Sequence, residues 1–224
     1  KSRSLPALAI CDNNLFGALE FSETLASSGV QPIIGLNIVV KAKVDEPEPH
    51  EIKGRIALYA QNEIGFANIC ALSSATFLEI ENIDDGIDIE RIAELSDGLI
   101  CLSGGFEGIL NTAILNNDTS GFDILSRKLS DIFKNRFYIE LQRHGREDEL
   151  QTENALLEKA YELDIPIVGT NDVRYDKREK HYPHEVLTCI NEGSRLSDNN
   201  RKRLTEEHYF KTDDEMIALF SDLP

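Results

Sequence analysis

The stretch FYIELQRHGREDELQTENALLEKAYELDIPIVGTND (137–172) decides the fold. It opens on FYIELQ (137–142), a short apolar run that reads as a strand. Leu150, Ala155, Leu156, Leu157, Ala160, Tyr161 and Leu163 then mark a long helix, and PIVGTND (166–172) returns to strand. Repeated strand–helix–strand units favour a parallel sheet or barrel.

The same alternation runs back toward the first residue. Further strands are expected at ALAICD (7–12), PIIGLNIVV (32–40), RIALYAQ (55–61) and GLICLS (98–103). Their near-continuous apolar character favours burial on both faces. Leu19, Phe21, Leu25 and Ala26 can share one helix face, as can Phe66, Ile69, Cys70 and Leu72. Ile109, Ile114 and Leu115, followed by Phe122, Leu125, Leu129, Ile132 and Phe133, predict two helices in one connection. KAKVDEPEPHEIKG (41–54) is polar and proline-bearing and is expected to be a solvent-exposed excursion. Residues 193–211 read as a long loop leading to a final helix started by Asp213 or Asp214. Periodicity does not separate a doubly wound sheet from a closed barrel; both place ligands at the carboxyl ends of strands.

Composition narrows the function. The 224 residues suffice for one large domain or two small ones. The net charge of −17, from 40 acidic and 23 basic residues, repels a phosphate backbone and makes the segment a poor DNA-binding surface. NNRKRL (199–204) is locally basic and reads as a solvated loop. No apolar run is long enough to span a bilayer, and KSRSLPALAICD (1–12) has no signal-peptide core, so no membrane role is expected. Cys11, Cys70, Cys101 and Cys189 form no Cys-x-x-Cys and are expected as reduced thiols in a cytoplasmic protein. The opening looks like the tail of a connection followed at once by strand, so residues upstream of Lys1 are expected.

The strand ends carry Asp12-Asn13-Asn14, then Asn37, then Arg55 at a strand start, then LSGG (102–105). After these come Glu140 with Arg143 and His144, and finally Asn171, Asp172 and Arg174. No glycine-rich nucleotide loop or nucleophile elbow is present, which argues against a sugar- or phosphate-binding barrel. A phosphoesterase metal cluster needs several imidazoles and carboxylates converging on one point. Asp12, Glu140 and Asp172 supply carboxylates, but the strand ends hold almost no imidazole. Blander readings stand beside each candidate. Asp12 can cap a turn, and His144, before Gly145, can bond backbone. His181 and His184 can be capping or surface residues, while His50 sits in the excursion and His208 in the late loop. Asp172 with Arg174 reads as an ion pair, since the guanidinium fork suits a carboxylate.

Four stretches carry a resemblance: LPALAICDNNLFGALEFSETLASSGVQPIIGLNIVV (5–40), FYIELQRHGRE (137–147), IPIVGTNDVRY (165–175) and RLTEEHYFKTDDEMIALF (203–220). Together, in this order, they resemble the polymerase and histidinol phosphatase (PHP) domain of bacterial DNA polymerase III alpha subunits, the replicative C-family polymerases. The resemblance implies an α/β fold, a distorted seven-stranded (β/α)7 TIM-like barrel of parallel strands, whose first strand with its His-x-His motif lies before residue 1. It implies that 1–224 is one PHP domain, partial at its N-terminus, with 193–224 leading toward the polymerase palm. Metal-binding members carry a His where this chain has Asn13, a Glu at Asn37, a His at Arg55, a Cys or His at Gly105, and Asp-x-His at Asp172 and Arg174. Arginine cannot ligate, because its nitrogens have no free lone pair. Arg55 and Arg174 are expected instead to pair with Asp172, Glu140 or Asp12. No metal or catalytic residue is therefore expected in this segment; any residual metal would fall to Asp12, Glu140, His144 and Asp172. The implied whole subunit is a DNA-directed DNA polymerase using Mg2+ on palm carboxylates outside the segment. Implied partners are the proofreading exonuclease subunit and, through the rest of the subunit, the sliding clamp, the clamp-loader complex and primer-template DNA. The alternative is an active metal-dependent phosphoesterase or 3′–5′ exonuclease.

Overall fold

All six expected strands form in the computed structural model, which describes residues 5–45, 48–198 and 203–223. In chain order the elements are β1 (Ala7–Asp12), α1 (Ala18–Ser27), β2 (Gln31–Val44), β3 (His50–Ala60), α2 (Glu63–Leu78), a two-residue β4 (Ile87–Asp88) and α3 (Ile89–Glu94). There follow β5 (Leu99–Leu102), α4 (Ile109–Leu115), α5 (Thr119–Phe133), β6 (Phe137–Gln142), α6 (Glu147–Leu163), β7 (Ile167–Thr170), α7 (His181–Glu192) and α8 (Asp213–Leu219). The sheet runs β1-β2-β3-β5-β6-β7, with β4 paired to β2. The class is α/β, as the alternation required.

Pairing is mixed. β1–β2, β2–β4 and β5–β6 are parallel, whereas β2–β3 and β3–β5 are antiparallel. The expected excursion is the cause. Most of 41–54 continues the two strands as a hairpin, with Val44 opposite His50 and Ala42 opposite Ile52. Ala42, Val44 and Ile52 are buried, so this stretch is not the solvated loop that its polarity and prolines suggested. Lys41, Lys43, Glu51 and Lys53 alternate with them, which is the period-2 signature of a half-buried strand. PIVGTND also differs: β7 stops at Thr170, leaving Asn171 and Asp172 in irregular backbone. Of NNRKRL, Asn199, Asn200, Arg201 and Lys202 lie outside the described residues.

The chain divides into two compact units, one up to Glu140 together with Thr152–Val168, the other Leu141–Gln151 with Gly169–Pro224. The first is built on an apolar core. Leu36, Ile38, Ile56 and Leu58 from the β2–β3 pair are fully or almost fully buried, with Ile69 and Leu72 of α2 and Phe133 of α5. Each such side chain contributes about 1.5–3 kcal/mol by leaving water. Asp118 caps α5 by accepting the Gly121 N–H at 2.8 Å, and the same carboxylate meets His50 Nε2 at 2.7 Å. The helix predicted around Leu19, Phe21, Leu25 and Ala26 forms as α1 but buries none of its residues. In the second unit α8 begins in a reciprocal box: Thr212 caps the Glu215 N–H while the Glu215 carboxylate accepts the Thr212 N–H.

Candidate functional site

The strand-end positions fall in both units. In the first, Asp12 ends β1, Asn13 follows it, and both are exposed. The turn after them is closed by Asn14, whose Oδ1 accepts the Phe16 N–H at 3.0 Å. Arg55 lies mid-β3, opposite Val39, with a mostly covered side chain. Its Nη1 donates to Asn13 Oδ1 at 3.0 Å and its Nε lies 3.2 Å from Glu107 Oε2. Arg55 thus pairs with the carboxylate of Glu107, a residue absent from the sequence-based expectations, which named Asp12, Glu140 and Asp172.

Glu140 is buried at the end of the β6 apolar run, and its Oε2 accepts the Gly104 N–H at 3.0 Å. Its backbone N–H donates to Ser103 Oγ at 2.9 Å. Gly104 has φ +95° and Gly105 φ +59°, the left-handed region that a side chain resists. A Cβ on Gly104 would also meet the Arg55 carbonyl at 2.2 Å. Burial first, and then Cys11 and Glu140, push the Tyr59 phenol far above its ordinary value. Burial and the Glu140 charge likewise raise the Cys101 thiol. The environment of Glu140 therefore keeps its acidic neighbours protonated. Asn37 adds one anomaly: its Oδ1 is buried without a hydrogen-bond partner among the described residues.

In the second unit Arg174 grips Asp172, its Nε at 3.0 Å and Nη2 at 2.9 Å from the same Oδ2. The two side chains are joined across irregular backbone and not along a strand face. Beside them lies a buried polar network. His144 is fully enclosed, with Nδ1 2.7 Å from Glu149 Oε1 and Nε2 3.0 Å from Asn171 Oδ1. Glu149 Oε2 also accepts the His144 N–H at 2.7 Å. His144 therefore bonds side chains, not merely turn backbone. Asn171 Nδ2 donates to the Tyr209 carbonyl at 2.6 Å, and Lys211 Nζ donates to Asn171 Oδ1 at 3.2 Å and to the Glu207 carbonyl.

The ring of His208 stacks on that of His144, with centroids 3.9 Å apart and planes within 3°. His208 Nδ1 lies 2.9 Å from the Asp172 carbonyl, which assigns the proton to Nδ1. Its buried Nε2 has no hydrogen-bond partner among the described residues. Burial, reinforced by His144, lowers the His208 pKa from 6.5 to about 4, so the ring is neutral at physiological pH. His181 lies at the start of α7, its Nε2 3.0 Å from the Leu204 carbonyl. His184 rests against Tyr175, with burial and Arg174 lowering its pKa.

Among the described residues no group of three or more His, Cys, Asp and Glu side chains is placed to share a metal ion. No described helix is long and apolar enough to cross a membrane. Glu149 and Lys211 were not foreseen; the available signal was a carboxylate five residues beyond His144 in HGREDE (144–149).

Residues 1–144 match the PHP domain family. Relatives named DNA polymerase III subunit alpha align along essentially the whole chain. The protein of Caulobacter vibrioides is 38% identical over 223 residues, covering 98% of this chain and 20% of the relative. That of Rickettsia felis is 38% identical over 225 residues, 100% of this chain and 18% of the relative. That of Borreliella burgdorferi is 34% identical over 232 residues, 100% of this chain and 20% of the relative. The chain thus spans about a fifth of the length of the curated relatives it matches.

Proposed function

This chain belongs to the PHP domain family, and from that premise we propose that it is the N-terminal domain of a replicative DNA polymerase III alpha subunit, serving as a metal-free scaffold. The whole subunit would extend primer-template DNA in the cytoplasm, with Mg2+ on palm carboxylates outside this segment. It would work with the sliding clamp and clamp-loader complex, and this domain would dock the proofreading exonuclease subunit. Residues 193–224 would lead toward the palm.

The observation that carries the scaffold reading is the engagement of Arg55. A permanent cation bound to Asn13 and Glu107 stands where metal-binding members are expected to offer imidazole. Guanidinium offers no lone pair and repels a nearby divalent ion. Asp172, the one matched position that keeps a good ligand, already neutralises Arg174. The residues present therefore do not fit a metal cluster, and no hydrolytic step is assigned to them. The unpartnered Asn37 Oδ1 favours at most a single donor there, since an amide is a weak ligand for hard ions.

Elemental analysis of the purified chain after incubation with zinc, manganese or iron tests the reading. Substoichiometric metal is expected. Stoichiometric metal at two or more sites, with aryl-phosphate hydrolysis lost in Asp172→Ala, would install the phosphoesterase alternative, with Asp12, Glu140, His144 and Asp172 as ligands. The docking role is tested separately: the cognate proofreading subunit should form a complex with this chain at micromolar concentration.

A further inference from the structure

Within the first unit, α1 and α2 present an apolar face to solvent. Phe16, just before α1, is 83% exposed, and Leu19, three residues on, is 71% exposed. At the end of α2, Phe77 is 52% and Leu78 82% exposed. The rings of Phe16 and Phe77 stack, with centroids 5.9 Å apart and planes within 15°. The stack joins the two helices into one surface. Phe66 lies eleven residues before Phe77, three helical turns away on the same side of α2, and is also exposed. Isolated apolar residues at a surface are ordinary; stacked aromatics in a contiguous apolar patch mark an interaction site.

The charge carried by the flanking segments is mainly acidic, with Arg91 as a cation at the rim. Residues 5–40 contain no Lys or Arg, and neither do residues 61–90. Glu20 and Glu23 lie exposed on α1, and Glu79 and Glu81 follow α2. Of these, Glu79 meets Arg91 at 3.5 Å. A second copy of the chain would bring the same carboxylates against themselves, so self-association is disfavoured. The complementary occupant is apolar in the middle and cationic at its edges.

We infer that the Phe16–Phe77 face is covered by a lysine- or arginine-bearing amphipathic segment from elsewhere in the same polypeptide. The choice of source rests on the proposed place of this chain in a longer subunit, because about four-fifths of each matched relative lies outside the aligned region. A tethered segment sees a high local concentration of the face and needs little intrinsic affinity. The face then belongs to the internal packing of the subunit.

The experiment uses the full-length subunit alone. Hydroxyl-radical labelling of Phe16 and Phe77 is compared with Tyr161, which is 64% exposed and serves as an internal reference. Labelling of the two phenylalanines should fall at least about five-fold below Tyr161, as for rings taken out of water. Zero-length carbodiimide coupling should join Glu20, Glu23 or Glu81 to lysines beyond residue 224 or before residue 1, and salt should reduce the yield. Full labelling of both rings overturns the inference. So does protection without any such cross-link, protection that appears only with a second protein, or protection that follows dimerisation. A gene encoding no polypeptide beyond these 224 residues would instead remove the subunit reading itself. Phe16→Ser with Phe77→Ser should restore labelling at Phe66 in the intact subunit; unchanged protection there counts against the covering segment.

Discussion

The two units of this molecule are held together by different chemistry. Among the described residues, the second unit buries three apolar side chains, Leu141, Tyr175 and Cys189, against four polar or charged ones, His144, Glu149, His208 and Lys211. The first buries an extended aliphatic and aromatic core with mostly small polar groups inside it. Their charges differ as well: of the 40 acidic residues 25 lie in the first unit and 15 in the second, against 12 and 11 basic ones. An apolar core tolerates variation of one side chain for another of similar volume. A buried polar network does not, because each member left without its partner costs its full desolvation.

The contrast can be broken first at the centre of the sheet. Leu58→Ala removes a fully buried side chain and should destabilise the first unit by about 2–5 kcal/mol, read by denaturant unfolding.

Next in size is a difference in pH tolerance. An unfolded His208 takes up a proton near 6.5, whereas the folded one resists until about 4. The folded state therefore binds fewer protons across that window. The second unit should lose up to about 3 kcal/mol as pH falls through it, with no change from this group above 6.5. His144, Asp172 and Arg174 are the charged and titratable groups facing this ring. His208→Phe keeps a flat ring and should flatten the acid slope. The first unit should fail at the other end. Tyr59 and Cys101 hold their protons more firmly when folded, so stability falls as pH rises past their ordinary values of 10.0 and 9.0. Residue-resolved hydrogen exchange separates the two limits; a common acid limit in both units would erase the distinction.

Smaller effects refine it. Thr212→Ala removes half of the α8 capping box and should cost about 1 kcal/mol, seen as faster exchange in α8 alone. Lys159→Ala, whose mostly covered side chain reaches the exposed carboxylates of Asp123 and Glu162, should cost about 1 kcal/mol, and less in high salt.

The same contrast explains what was legible in the sequence. β1 and β6 have the bounds that their apolar runs gave, because burying a strand imposes a continuous pattern. The two helices after β5 and the long α6 followed from 3.6-residue periodicity. The hairpin arms in 41–54 were misread because charged residues at every second position drew attention away from Ala42, Val44 and Ile52. The site was harder to read. Matched positions could be named from the resemblance, but Glu107 as the partner of Arg55 could not. Nor could the stack of His144 on His208, whose members lie far apart in the chain. Hydrogen bonds between scattered polar residues leave no period for a sequence to display.

The glycine pair behind β5 restricts what the loop can carry. Gly105 occupies the place where related domains are expected to carry a sulfur or imidazole donor, and both it and Gly104 adopt left-handed backbone. Any side chain at 105 would add about 1 kcal/mol or more of conformational strain. At 104 a side chain would collide with the Arg55 main chain, whatever residue replaced that arginine. A side chain at either position would therefore need the loop behind β5 rebuilt, which makes this short turn one of the least substitutable parts of the first unit.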